Sequence, residues 1–93
     1  MELLFEWDEE KADGNLKRHK VSFQESATIF HDAFIATQLD PDHSEDEERY
    51  ISIGYSVKGQ LLVVSHTERD GRTRIISCRK VTAKERKIYE KDG

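Results

Sequence analysis

Ninety-three residues, 35% hydrophobic and 37% charged, make one small domain with a modest core and no room for two. A single cysteine excludes an internal disulfide framework. No apolar run approaches the roughly 20 residues that cross a bilayer, so a cytoplasmic protein with no membrane partner is expected. The net charge of −4 conceals an imbalance: residues 1–65 carry six Lys/Arg against fourteen Asp/Glu, and residues 66–93 carry nine against five. Anionic partners are to be sought at the C-terminal third.

LLFEW (3–7) predicts a first strand, and the segment MELLFEWDEE has no basic stretch of the secretory kind. Asp8 then reads as a helix N-cap, with Glu9 and Glu10 in the first turn, where the helix dipole favours carboxylates. The helix EEKADGNLKRHK (9–20) sets Ala12 and Leu16 four apart and ends in Lys17, Arg18 and Lys20. Gly14 inside it costs up to about 1 kcal/mol of helix propensity, so packing must hold it. Ser22 and Glu25 make the S-x-x-E capping box of a second helix over VSFQESATIF (21–30), with Phe23, Ala27 and Phe30 as its apolar stripe. AFIATQL (33–39) reads as a short strand. DPDHSEDEE (40–48), with six acids in nine residues and the only proline, reads as an exposed loop.

From Arg49 the period becomes two: Ile51, Ile53, Tyr55 and Val57 alternate with Tyr50, Ser52, Gly54 and Ser56. VKGQ (57–60) supplies a turn, LLVVSHT (61–67) a central strand, RDGR (69–72) a D-G hairpin turn, and TRIISC (73–78) a last strand. TAKERKIYEKD (82–92) opens with Thr82 and Glu85 at capping-box spacing and reads as a short polar helix, with Ile88 and Tyr89 as its few apolar residues. The order β-α-α-β-β-β-β-α predicts one α+β domain over residues 1–93. Its helices would lie on one face of a curved antiparallel sheet, leaving the other face open.

Strict alternation then sorts the cations. It groups Thr73, Ile75, Ser77 and Arg79 on one face of the last strand and Arg74, Ile76 and Cys78 on the other. In the central strand, Leu61, Val63, Ser65, Thr67 and Arg69 lie opposite Leu62, Val64 and His66. Arg69, Arg72, Arg74, Arg79 and Lys80 read in two ways: as a surface for something anionic, or as ion-pair partners of Glu68, Asp70, Glu85 and the acidic loop. His66 reads either as a general acid or base for phosphodiester cleavage, or as a half-buried residue hydrogen-bonded to backbone. His19 fits as a dipole partner at a helix end, Cys78 as a small core filler, and Trp7 as core, unless it is exposed and stacks on a base. PDH and HSEDEE lack metal-ligand spacing, and no Gly-rich phosphate loop, serine triad or paired-carboxylate motif occurs. Any catalysis would be sparse, with arginines stabilising charge on a phosphorane, helped by a hydroxyl or imidazole, without metal or cofactor.

FEWDEEKADGNLKRHKVSFQESATIFHD (5–32), EERYISIGYS (47–56) and HTERDGRTRIISCRKVTAKERKIYE (66–90) resemble the BrnT family of bacterial toxins. The likeness covers nearly the whole chain in the family's order, through W-D-x-x-K, N-x-x-x-H, T-x-R and R-I-I-S-x-R. It implies the toxin of a type II toxin–antitoxin pair, with a RelE-like fold and a ribonuclease activity that arrests translation. It also implies a ribbon-helix-helix antitoxin, through whose complex alone the chain would meet DNA. Trp7, Lys11, Asn15 and His19 match the N-terminal pattern, and Thr67, Arg69, Arg79 and Arg86 the C-terminal one. Lys20 stands where glycine is usual, His66 where tyrosine is common, and Cys78 where alanine is common.

The expectation is therefore a metal-independent endoribonuclease that uses the ribose 2′-hydroxyl as nucleophile. Arg69 and Arg79 would hold the scissile phosphate, Thr67 or His66 would assist proton movement, and Arg72, Arg74, Lys80, Lys20 and Arg86 would bind the RNA. The alternative is a catalytically weak binding module whose basic face mainly holds a DNA-binding antitoxin and shapes promoter autoregulation.

Overall fold

The computed structural model describes residues 3–43 and 47–92, so the first two residues, residues 44–46 of the acidic loop and the last residue lie outside the described residues. Along the chain run β1 (Phe5–Glu6), α1 (Glu9–His19), α2 (Phe23–Ala27), β2 (Ala36–Leu39), β3 (Arg49–Tyr55), β4 (Leu61–Arg69), β5 (Arg72–Lys80) and α3 (Ala83–Asp92). This is the expected order.

Local chemistry sets the helix ends. Asp8 accepts from the N–H groups of Glu10 and Lys11 at 2.9 and 3.1 Å, and Ser22 accepts from Glu25 at 3.0 Å, so both N-caps form as the sequence predicts. α1 stops where Lys20 enters the left-handed region at φ 62°, its N–H bonded to the Leu16 carbonyl at 2.9 Å. Glycine adopts that conformation freely, whereas lysine does so at a cost of about 1 kcal/mol. α2 is shorter than predicted, because the chain tightens into a 3-10 turn at Thr28–His31. That turn lies against β3 at Gly54, where a Cβ would stand 3.3 Å from Ile29.

The strands form one sheet in the order β1-β5-β4-β3-β2. β2 through β5 pair antiparallel, and β4 turns into β5 through Asp70 and Gly71, both at positive φ as a tight I′-type hairpin requires. β1 pairs parallel to β5 at the outer edge, so the sheet is mixed there rather than wholly antiparallel.

α1, α2 and the 3-10 turn cover one face. Val21, Phe23 and Ile29 meet Leu62, Val64, Ile75 and Cys78 in a core that excludes water almost completely. Asn15 ties this layer together: its side chain donates to the Val21 carbonyl and accepts from the Cys78 N–H, both at 3.1 Å.

Two features depart from the sequence-based picture. Ser65 pairs with Ser77 while His66 pairs with Ile75, which leaves Ile76 as an extra, bulged residue in β5. Strict alternation therefore fails within this strand. Thr73 and Ile75 join Cys78 and Lys80 on the helix-covered face, and Arg72 and Arg74 join Ser77 and Arg79 on the other. The second departure is α3, which does not join the other helices. It crosses to the arginine side, where Tyr89 packs edge-on against Tyr55 with ring centres 5.9 Å apart.

Candidate nucleic-acid interface

The bulge gathers the arginines. Opposed residues of paired strands share a face, so Arg69, Arg72, Arg74 and Arg79 all rise from the side away from α1 and α2. Glu6, Arg74, Thr67 and Arg49 form one row across the sheet. The next row holds Ser77, Ser65, Ile51 and Gln38, and the one after it Arg79, Val63, Ile53 and Ala36. Arg49 was missed from the sequence, although its alternation with Ile51, Ile53 and Tyr55 already put it on their face.

Each of three arginines meets a carboxylate from outside the β4–β5 hairpin. Arg69 bonds Glu47 at 3.0 Å, Arg74 bonds Glu6 at 2.8 Å, and Arg79 grips Glu85 with both terminal nitrogens at 2.8 and 2.9 Å. Arg79 and Glu85 form the tightest of these pairs. The guanidinium holds the Glu85 carboxyl down at about 2, and Glu85 also closes the expected capping box with Thr82. This end-on grip leaves the Nε–H of Arg79 to another acceptor.

Arg79 stands opposite Val63, six residues along β4 from Arg69, which is about 20 Å of strand. Held as they are, the two guanidiniums do not meet on one phosphate. A span of that length exceeds the separation of adjacent phosphates, so a single strand lying along it would meet the two arginines several nucleotides apart.

His66 corrects the catalytic reading. It lies on the helix-covered face at 3% exposure, with Nε2 2.7 Å from Ser52 Oγ, its ring stacked on Tyr50 and edge-on to Phe30. Burial pushes its pKa down to about 4, so it is neutral and walled off from the arginines. Thr67 belongs to the arginine face but is 1% exposed, its hydroxyl donated to the Glu48 carbonyl at 2.7 Å. It braces the start of β3, its proton spent on that bond and its oxygen buried from the open face.

Lys80 shares register with Leu62 on the other face, and Lys20 caps α1, so neither joins the row of arginines. Arg86 lies on α3, bonded to the Tyr55 hydroxyl at 3.3 Å and paired with Glu90 at 3.6 Å. Among the described residues, no group of three or more His, Cys, Asp or Glu side chains is placed to hold a metal ion.

The family model described as the ribonuclease toxin, BrnT, of type II toxin–antitoxin systems matches residues 7–85. The chain belongs to the BrnT toxin family. A crystal structure of the Brucella abortus ribonuclease toxin BrnT at 1.1 Å resolution shares the fold, with a TM-score of 0.63 at 19% identity, covering 87% of this chain and 99% of that one. Comparison with curated proteins gave no match. As a type II toxin of the BrnT family, the chain has an antitoxin for a partner.

Several positions of the BrnT pattern now have physical roles. Trp7 packs edge-on to Phe23 and bonds Glu9, so it is structural and does not face the arginines. Asn15 pins α1 to β5. The glycine usual at position 20 is explained by the left-handed cap that Lys20 is forced to adopt here. Cys78 is a buried filler whose thiol is pushed up by burial, which leaves it unreactive. Most of α3, from Arg86 onward, lies beyond the stretch matched to BrnT.

Proposed function

We propose that this BrnT chain is a metal-independent endoribonuclease that lays the RNA backbone across the open face of its sheet. The observation that carries the reading is the register shift at Ile76, which brings Arg72, Arg74 and Arg79 to the side of Arg69 and Arg49. Glu47, Glu6 and Glu85 occupy the arginines as phosphates would, with comparable bidentate or short charged bonds. RNA phosphates would share or replace those carboxylates.

Arg79 is the candidate for stabilising the scissile phosphate, since Glu85 fixes the fork and leaves Nε–H to a phosphate oxygen whose charge grows in the transition state. Arg69, Arg72 and Arg74 would hold phosphates farther along the strand. With His66 beneath the sheet and the Thr67 hydroxyl committed to backbone, neither expected proton carrier stands beside a phosphate at Arg79, and the reading rests on charge stabilisation there.

The same ion pairs favour a second reading. Arginines already matched to carboxylates are suited to exchange them for acidic residues of a ribbon-helix-helix antitoxin, with RNA cleavage secondary. Alanine at Arg69 and at Arg79 separates the two. On the ribonuclease reading, both variants melt like the parent and still bind the antitoxin; Arg79→Ala cleaves RNA about a hundredfold more slowly in excess EDTA, and Arg69→Ala binds RNA more weakly with a shallower salt dependence. Folded variants that stay fully toxic would refute it.

A further inference from the structure

A cleft of about 620 Å³ opens between α3 and the β2–β3 edge. Its floor includes Ile51 and Ile53, which share rows with Ser65–Ser77 and Val63–Arg79, so the cleft continues the arginine face sideways. Two inter-strand spacings, about 10 Å, separate the Arg79 strand from that floor.

Its chemistry is that of a site for a flat, partly polar ring. Ile51, Ile53 and Ile88 make apolar walls, and Tyr89 and Phe34 add aromatic ones. Phe34 is 71% exposed and Ile88 is 55% exposed, an apolar rim that water covers at a cost. Gln38 brings an exposed amide, with donors and an acceptor, to the same space.

The wall is also held firmly. The Tyr89 hydroxyl donates to Asp32 Oδ2 at 2.9 Å, and Asp32 accepts the Tyr55 N–H at 2.7 Å. Burial and Asp32 keep that hydroxyl protonated, with its pKa raised to about 12.

We propose that this cleft is a nucleobase site, in which an unpaired base beside the phosphate at Arg79 stacks on Phe34 and Tyr89 while Gln38 reads its edge. The proposal rests on the RNA reading of the arginine face and adds to it a source of base preference. A protein segment would fill the apolar walls equally well. The continuity of its floor with the strand that carries the Arg79 guanidinium favours a ligand that alternates phosphates with flat rings.

The test uses fluorescent 2′-O-methyl decauridylate and decaadenylate, which resist cleavage through the 2′-oxygen, and an abasic decamer of equal charge. Binding to the whole protein is measured at several salt concentrations. The base-bearing decamers should bind about tenfold more tightly than the abasic one. Phe34→Ala should erase that margin while keeping the salt dependence, and Gln38→Ala should change the ratio between the two bases. Circular dichroism melts check both variants, whose side chains are exposed. Equal binding of abasic and base-bearing decamers, or a margin that survives Phe34→Ala, would overturn the nucleobase site alone. So would a Phe34→Ala variant that keeps its RNA affinity but loses its antitoxin. Absence of binding by every decamer at low salt would overturn the RNA reading together with this one.

Discussion

The two faces of the β4–β5 hairpin are built from alternate residues of the same strands, yet they answer to different forces. On one face Leu62, Val64, His66, Ile75 and Cys78 are sealed under α1, α2 and the 3-10 turn. On the other, Arg69, Arg74 and Arg79 stand partly in water, each held by a carboxylate from another part of the chain. Burial of apolar surface makes the first face costly to alter, whereas exposed ion pairs add little to stability and exchange partners readily. The fold thus keeps its stability and its binding chemistry on opposite sides of one layer.

The sharpest way to break that division is at Phe23, fully buried beneath the helices. Phe23→Ala should cost about 3–5 kcal/mol, read as a large fall in the denaturation midpoint, and should abolish toxicity only through loss of fold. Ser77→Ala, on the arginine face, should stay within about 0.5 kcal/mol in the same assay.

His66 tests the covered face by pH. Its folded pKa of about 4 lies below the ordinary 6.5, so the unfolded chain takes up a proton that the folded chain refuses. The contribution is complete above pH 6.5 and is lost as pH falls toward 4, on the order of 2–3 kcal/mol in all. Melts across that window should show the decline, and His66→Phe should remove this part of it, leaving Ser52 bonded to Thr37. An unchanged pH profile in the variant would mean that His66 takes up its proton in the fold as readily as in the unfolded chain.

The most local effect is expected at α3. Tyr89→Phe deletes the hydrogen bond to Asp32 and should cost about 1 kcal/mol, confined to that helix. Hydrogen exchange should quicken in α3 and leave the amides of β4 unchanged.

Much of this organisation is legible in the chain. Capping chemistry at Asp8, Ser22 and Thr82, the D-G turn and the period-two strands mark nearly every element, because each rests on local preferences. The Arg79–Glu85 pair was one of the ion pairs open to sequence reading, being six residues apart. Arg74–Glu6 was not, since it depends on β1 docking parallel to β5 across 68 residues. His66 followed its structural alternative, with the Ser52 side chain rather than backbone as partner. The side chosen by α3 was illegible for a related reason: a polar helix with two apolar residues carries too weak a stripe to say which face it seeks.

The bulge makes the curvature of this surface an independent variable. Because Ser77 opposes Ser65 and Ile75 opposes His66, removing Ile76 would leave a regular strand in which every side chain keeps its present side. Only the bend and local twist that an extra residue introduces would be lost. The hairpin arginines would then swing relative to Arg79 as a rigid group, with their number, charge and order unchanged. A one-residue deletion can thus alter the pitch of the arginine surface without altering a single charged group on it.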